Sequence, residues 1–429
     1  MVDNSKHPAN KSGNTDASPR LVTIRLPVWW TMGGLIAGLL VGMITAETDL
    51  GAMLATITEP VGTLWLRALQ MTIIPLVAAL LVMGISQLAK AASAGSTARR
   101  MLLLVFVILV LGGIASVVLM PLLLEVFPIP ASAGAFLSDS AGEAQPVPEI
   151  AEFLKSLIAP NLFAAASETA MLPLTIFFAL LALALQRIPE SQRATLLAFF
   201  HALANAMLVI IGWVLWLAPA GVFALAVGVA ARAGGGAFLA LGHYIAVVSA
   251  MGAVILLAAY VIGIGLARIG PGRFFTALLP AQAVAISTQS SLASLPAMLD
   301  SAKRLDIREE VAEFVLPLAV AIFRATSPAM NLAVAVYVAY LAGVELTPTA
   351  LIAAVAVAFV ISIGSVSLPG SISFVISIGP IALAMGVPIE PLAILVAVEM
   401  LPDIMRTLAN VTMNVAVACA VDRSAGARD

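Results

Sequence analysis

Charge is the scarcest feature of this chain. Lys and Arg number 21 and Asp and Glu 23 among 429 residues, so only 10% are charged, against about 25% in soluble domains. With 62% hydrophobic residues and a mean hydropathy of +1.09, the composition excludes an ordinary water-soluble domain and gives an all-α polytopic membrane protein. A net charge of -2 gives no hint of nucleic acid. The single cysteine, Cys419, rules out an internal disulfide; in the last apolar segment it reads as a small packing residue. The histidines His7, His201 and His243 are scattered, which speaks against a histidine metal site. Zinc-ligand clusters, phosphate-loop glycines and a nucleophile elbow are missing too, so no cofactor is expected and an enzyme is the weakest functional class.

What is present is a polar stripe in an apolar setting. Residues 391–421, PLAILVAVEMLPDIMRTLANVTMNVAVACAV, have the length and hydrophobicity of a membrane span, yet carry Glu399, Asp403, Arg406, Asn410 and Asn414. At 100° per residue these five fall within an arc of about 80°. An ionised side chain at the bilayer centre costs about 2.5–3.5 kcal/mol, so the stripe must face protein or water rather than lipid. One reading is an Asp–Arg pair at i,i+3 that only fixes helix packing. The other is a polar-solute site, with Arg406 available to an anionic group and Asp403 to a cationic one.

Residues 1–22 form a polar tail with a disordered composition, and 422–429 a short C-terminal tail. Between them, 23–421 read as one membrane domain whose first apolar run is a retained span rather than a signal peptide. Spans are expected at about 28–44, 61–88, 101–126, 159–186 (broken at Pro173), 196–217, 238–267, 311–340 and 391–421. Ala218–Gly221 reads as a turn before another helical start. Lys90, Arg99, Arg100, Arg187, Arg193, Arg268, Arg273, Lys303, Arg304 and Arg308 mark one side, which the positive-inside rule makes cytoplasmic. Acidic stretches mark the other: Glu47, Asp49 and Glu59, then Pro/Ala/Ser-rich 127–158, then Glu345 and Glu390. Arg232 falls on that outer side and counts mildly against this topology. The expectation is a multi-pass protein of the cytoplasmic (inner) membrane with both termini in the cytoplasm.

Two segments break the pattern. Residues 274–299 are apolar at both ends and polar in the middle, from Ser287 to Ser294, with basic sequence on both flanks. Entering and leaving on one side makes a re-entrant hairpin, tolerable only where its tip lines protein or a cavity. Residues 349–389, with SIGSVSLPGSIS in the middle, repeat the theme from the opposite side. FRATSPAMN places Arg324, Thr326, Ser327, Pro328 and Asn331 in mid-membrane and predicts an interrupted helix. Arg324 needs an acid partner or a bound anion, and Asp403 and Glu399 are the candidates. Opposed hairpins, each followed by a span with a polar centre, form the inverted repeat that secondary transporters use to build a midplane site. A channel or substrate sensor on the same architecture is the competing class.

LPLTIFFALLA (172–182), APAGVFALA (218–226), QSSLASLP (289–296), LPLAVA (316–321), SIGSVSLPG (362–370) and MRTLANVT (405–412) resemble the dicarboxylate/amino acid:cation symporters, the family of glutamate and aspartate transporters. The resemblance covers nearly the whole chain after residue 25. It implies eight transmembrane helices plus two opposed re-entrant hairpins, a homotrimer in the lipid bilayer, and elevator-like movement. Scaffold and trimerisation parts would lie mainly in 23–88 and 159–235, and transport parts in 101–126 and 238–421. By the same resemblance Arg406 would hold the side-chain carboxylate of a small anionic substrate and Asp403 its amino group, with Asn410 and Thr407 fixing it. Ser290 and Ser291 match the first hairpin's serine-rich tip, with Leu292 in place of a third serine. Ser327 and Arg324 border the same site. Ser365, Val366, Ser367, Leu368, Pro369 and Gly370 would be the outer gate.

The departures from the family concern the coupling ion. Where relatives interrupt the seventh span with Asn-Met-Asp-Gly-Thr, this chain has Phe323, Arg324, Ala325, Thr326 and Ser327; their sodium-binding aspartate near the end of the last span corresponds to Asn414. Two carboxylates are lost and one fixed cation gained. Hard oxygen ligands with negative charge are what sodium requires, so sodium coupling is doubtful and Arg324 reads as a stand-in for a bound cation. A proton is the alternative coupling ion, with Glu399 or Asp403 as its carrier. The retained arginine argues for an acidic substrate and Asp403 for an amino acid, whereas Arg324, by neutralising Asp403 or by offering a second carboxylate anchor, would tip the preference toward a C4-type dicarboxylate.

Overall fold

A computed structural model describes residues 28–45, 48–93, 95–130, 155, 158–168, 170–233, 236–364 and 370–426. Among them every regular element is helical. The chain runs α1 (Val28–Thr45), α2 (Asp49–Gln70), α3 (Ile73–Ala92), α4 (Ser96–Val126), α5 (Leu162–Ser167), α6 (Met171–Leu185), α7 (Glu190–Trp216), α8 (Ala218–Ala233) and α9 (Gly236–Val261). A π-helical turn (Ile262–Leu266) leads to α10 (Pro271–Thr288), α11 (Leu295–Arg304), α12 (Glu309–Ile322), α13 (Thr326–Leu341), α14 (Pro348–Gly364), α15 (Gly370–Ala384), α16 (Leu392–Val398) and α17 (Met400–Gly426). Six segments of the described residues are long and apolar enough to cross a membrane, and four shorter apolar helices accompany them. The expected N-terminal tail, the acidic stretch 131–154 and the gate residues 365–369 lie outside the described residues.

Prolines decide where several of these helices break. The expected second span, 61–88, is two helices, because Pro75 in the first turn of α3 has no N–H to donate and crowds the carbonyl of Met71. Residues 49–60, expected outside as a loop, are instead the first half of α2, which Thr48 caps by accepting from the Gly51 N–H at 3.1 Å. Pro173 likewise separates α5 from α6. The last span lacks one helical bond near its start, because Pro402 has no N–H for the carbonyl of Val398; Glu399, between α16 and α17, keeps a right-handed helical backbone.

Two close approaches hold the packing. Trp65 of α2 donates from Nε1 to the carbonyl of Val214 at 2.9 Å, and its ring lies where a Cβ on Gly221 would come within 2.3 Å of Cγ. Gly263, in the π turn, receives the buried Phe274 ring of α10; a Cβ there would meet Cζ at 2.2 Å.

Helix α10, the turn 289–294 and α11 form a helical hairpin whose two ends meet, since Arg273 donates to the carbonyl of Arg304 at 3.0 Å and pairs with Asp306. At that same end Arg308 pairs with Asp422 at 2.7 Å and Arg100 donates to the carbonyl of Ser424 at 3.0 Å. The basic stretches before and after the first hairpin thus share one end of the molecule with the start of α4 and the end of α17. Far from it, His243 sits between the Phe127 carbonyl (3.0 Å) and the Tyr337 hydroxyl (3.2 Å), tying α4, α9 and α13 together. Helices α14 and α15 pack on each other.

The core lies along the interrupted seventh span and the last one. Of the membrane-length window in Glu309–Leu341, 89% is buried, and of that in Met400–Ser424, 83%; in Glu190–Trp216 the share is 22%. Helix α7 therefore runs along the outside of the chain, while α12–α13 and α17 are central.

Candidate functional site

The interruption at 323–325 and the stripe of α17 face each other. Phe323 is extended, α13 restarts at Thr326, and the orphan donor of that restart is satisfied from α17. Asn410 Oδ1 accepts from the Thr326 backbone N–H at 3.0 Å and from Thr326 Oγ1 at 3.1 Å, which is side-chain capping supplied by another helix. All five stripe residues are buried: Glu399, Asp403, Arg406, Asn410 and Asn414 are 1%, 6%, 8%, 6% and 1% exposed. They face protein, as the cost of charge in lipid demands.

Arg406 is the hub. Its Nη2 donates to Glu399 Oε1 at 2.8 Å, its Nη1 to Asn331 Oδ1 at 2.7 Å, and its Nε lies 3.4 Å from Asp403 Oδ1. Asn331 in turn donates from Nδ2 to Ser327 Oγ at 3.1 Å, and Tyr244 of α9 donates its hydroxyl to Glu399 Oε2 at 3.0 Å. The stripe runs on through Glu399, which stays bonded to α17 through the Asp403 N–H at 2.9 Å. Arg324 is half-buried; Asp403 attracts it and Arg406 repels it. Two arginines and two carboxylates therefore make a cluster of formal net charge zero, buried except for half-buried Arg324. Its members compensate one another, which is the condition for keeping ions out of water.

The cluster joins Arg406, Asp403, Glu399, Ser327 and, through the field of Asp403, Arg324. Asn410 belongs to the same helix face, with Oδ1 committed to α13, and Thr407 is buried beside it. Ser290 and Ser291 are half-buried in the hairpin turn, where Ser290 Oγ accepts from the Ala293 N–H at 3.2 Å. Their recorded bonds close the turn, and none reaches Arg406. Among the gate residues only Gly370 is described, as the first residue of α15. Phe323 and Ala325 are buried and apolar where the family's sodium ligands would stand. Asn414 Oδ1 is buried without a hydrogen-bond partner, so this position keeps an oxygen but no carboxylate. No group of three or more His, Cys, Asp or Glu among the described residues is arranged to hold a metal ion.

Sequence reasoning places Asn331 in mid-membrane without giving it a role in the site, and it passes over Tyr244. Asn331 stands inside the polar FRATSPAMN run and one helical turn after Ser327, which is its signal. Tyr244 is one of four tyrosines in the chain and interrupts an apolar span, but nothing in its neighbourhood points to a residue 155 positions away. Gln282 is a third such residue: it donates to Tyr260 and Thr412, each at 3.0 Å, and binds the first hairpin to α9 and α17.

Residues 28–424 match the profile of the sodium:dicarboxylate symporter family. A proton/sodium-glutamate symport protein of Bacillus subtilis (strain 168) is 27% identical over 405 residues, covering 92% of this chain and 91% of that one. A proton/glutamate-aspartate symporter of Escherichia coli (strain K12) is 24% identical over 403 residues, 90% of each. Neutral amino acid transporter B(0) of Rattus norvegicus is 28% identical over 247 residues, 56% of this chain and 44% of that protein.

Proposed function

Since the chain belongs to the sodium:dicarboxylate symporter family, and is a transporter rather than an enzyme, we propose that it carries an acidic amino acid or a C4-type dicarboxylate across the cytoplasmic membrane. The observation that carries this reading is Arg406, a guanidinium buried at the centre of the molecule beside an interrupted helix. Arginine offers a planar fork of donors that matches a carboxylate. Asp403 beside it would receive an ammonium group, with Thr407, Asn410, Ser327 and the hairpin serines Ser290 and Ser291 completing the pocket. The glutamate and aspartate in the names of the Bacillus and Escherichia relatives point to the same substrate class.

The architecture we propose has eight spans and two opposed hairpins, the second closing over the substrate with residues 365–370. Transport parts, 101–126 and 238–421, move as an elevator against scaffold parts, 23–88 and 159–235, in a homotrimer with cytoplasmic termini. The shared basic end of the first hairpin, α4 and α17 supports that orientation. The lipid-sized apolar exterior of α7, with Phe199, Trp213 and Trp216 exposed, is a surface for lipid or for a second copy.

A second reading, proton-coupled or uncoupled dicarboxylate carriage, is favoured by Arg324. A cation within a few ångströms of it is repelled by several kcal/mol in a low dielectric, on the order given by Coulomb's law at an effective constant near 20. Glu399 and Asp403 are the candidate proton carriers. Uptake of labelled aspartate and succinate into proteoliposomes separates the readings. Accumulation driven by an inward proton gradient, and not by sodium at clamped pH and voltage, is expected. Sodium-driven accumulation would overturn the altered coupling, and substrate-independent conductance without accumulation would replace the carrier by a channel.

A further inference from the structure

Helices α4 and α14 approach each other at Gly113, where a Cβ would lie 3.4 Å from Val355 Cγ1. Beside that contact a groove of about 440 Å³ lies between the two helices. One wall is a stripe of α4, with Phe106, Val110, Ile114 and Val118 at four-residue spacing; the other is the stretch 351–359 of α14. Every side chain that lines it is aliphatic or aromatic, and Phe106, Ile114, Val118 and Ile352 are exposed. At one end the rings of Phe106 and Phe359 meet edge to face, with centroids 5.1 Å apart, and close the groove.

Its depth in the bilayer selects the occupant. Helix α4 starts at the basic end of the molecule, where Arg100 reaches the Ser424 carbonyl. At about 1.5 Å per residue, Phe106 lies about 15 Å from Ser96, and Val118 about 18 Å farther on. Half of the hydrocarbon core is about 15 Å thick, so the groove runs from the middle of the bilayer, away from the basic end, over the depth of one leaflet. A polar group along this length would give up its hydrogen bonds to water and find none in return; a hydrocarbon chain loses nothing. The mouth carries charge of one sign. Glu125 follows Val118 by two helical turns and so stands on the same face of α4, Glu345 precedes α14 by a few residues, and both are exposed. Two acids there repel an anionic head group and attract a cationic one.

We propose that the α4–α14 groove binds one acyl chain of a phospholipid whose head carries an ammonium group, in the leaflet away from the basic end. The terminal methyl rests on Phe106 and Phe359, and the head lies beside Glu125 and Glu345. The chain braces α14, the arm that leads to residues 365–370, on α4. This site is separate from the Arg406 cluster and does not depend on which substrate that cluster takes.

Photo-crosslinking of the full-length transporter in proteoliposomes tests the site. The probe is a phosphatidylethanolamine with a diazirine near the end of one acyl chain, and adducts are mapped by peptide mass spectrometry. Adducts at 106–118 and 351–359 should saturate as the mole fraction of probe rises, whereas those on the exposed face of α7 should rise in proportion to it. Unlabelled phosphatidylethanolamine should displace the probe about fivefold better than phosphatidylglycerol, the scale of a pair of exposed ion pairs. Glu125→Gln combined with Glu345→Gln should erase that preference. Ala356→Trp, which fills the groove, should remove its adducts and leave those on α7; if this variant does not fold, saturation in the wild type decides. Groove adducts that rise in proportion to the probe, or that persist in Ala356→Trp, reduce the groove to ordinary lipid contact and overturn the site. Equal displacement by the two lipids, or a preference that survives the double substitution, overturns the choice of head group. Each of these outcomes leaves the transport reading as it stands.

Discussion

Arg406 and Glu399 are bonded at 2.8 Å along one face of the helical run that carries them both. In a continuous helix, residues seven apart lie two turns from each other, about 10 Å along the axis. The long Arg406 side chain closes this separation. The pair could not form with lipid on that face, so its burial identifies the stripe as the inner face of the protein.

Removing the arginine has two separable consequences. Arg406→Ala should abolish binding of aspartate, glutamate and succinate, and should also destabilise the fold, since losing one partner of a buried ion pair costs about 3–5 kcal/mol. Adding Glu399→Gln to that variant should recover part of the thermal stability without recovering binding. Titration calorimetry and thermal unfolding in detergent measure the two effects. Retained affinity for acidic ligands in Arg406→Ala would refute its assignment as anchor.

Asn410 has a structural duty whatever it does for substrate. Asn410→Ala leaves both the N–H and the hydroxyl of Thr326 without their shared acceptor, and an unsatisfied buried donor costs about 1–3 kcal/mol. Thr326→Val removes only the hydroxyl and keeps the capped N–H, so it should cost clearly less. Unfolding midpoints compared across the two variants check the order; equal losses would mean that the cap carries no weight.

Most of the helical frame is legible from hydropathy and charge, and where it is not, a local competition explains the difference. The acids Asp49 and Glu59 suggest an outside loop, yet Asp49 sits in the first turn of α2, where a negative charge favours the helix. The interruption at 323–325 shows in the sequence because hydroxyls and Pro328 follow an arginine there. The polar residues of the last span keep helical spacing through Glu399 because its backbone stays helical there, and Pro402 removes a single bond. Within the site, spacing points Arg406 at Asp403, three residues away. Its shorter bonds to Glu399 and Asn331 depend on tertiary placement, which periodicity does not encode.

Gly263 tests the packing of the first hairpin. Gly263→Ala forces a methyl into the Phe274 ring, and overpacking of this kind costs about 1–3 kcal/mol. Phe274→Leu in the same chain shortens the obstructing side chain and should restore more than half of the lost unfolding midpoint in detergent. If Gly263→Ala alone unfolds like the wild type, the π turn and α10 do not meet as closely as the 2.2 Å approach requires.

On the proposed site, Arg324 would separate the two substrate classes by charge alone. Asp403 can receive an ammonium only to the extent that its own charge is not already answered, and Arg324 answers part of it. On that reading an aspartate ligand would compete with Arg324 for Asp403, whereas succinate has no ammonium and would meet Arg324 as a second cation. Arg324→Gln removes that cation. Succinate affinity should then fall about tenfold, close to 1.4 kcal/mol, while aspartate affinity should hold or rise, so that the ratio of the two shifts toward the amino acid. Competition binding of both ligands at one pH reads the ratio directly. An unchanged ratio would mean that Arg324 only balances Asp403 in the fold; a shift toward succinate would reverse the assignment of Asp403 as the ammonium acceptor.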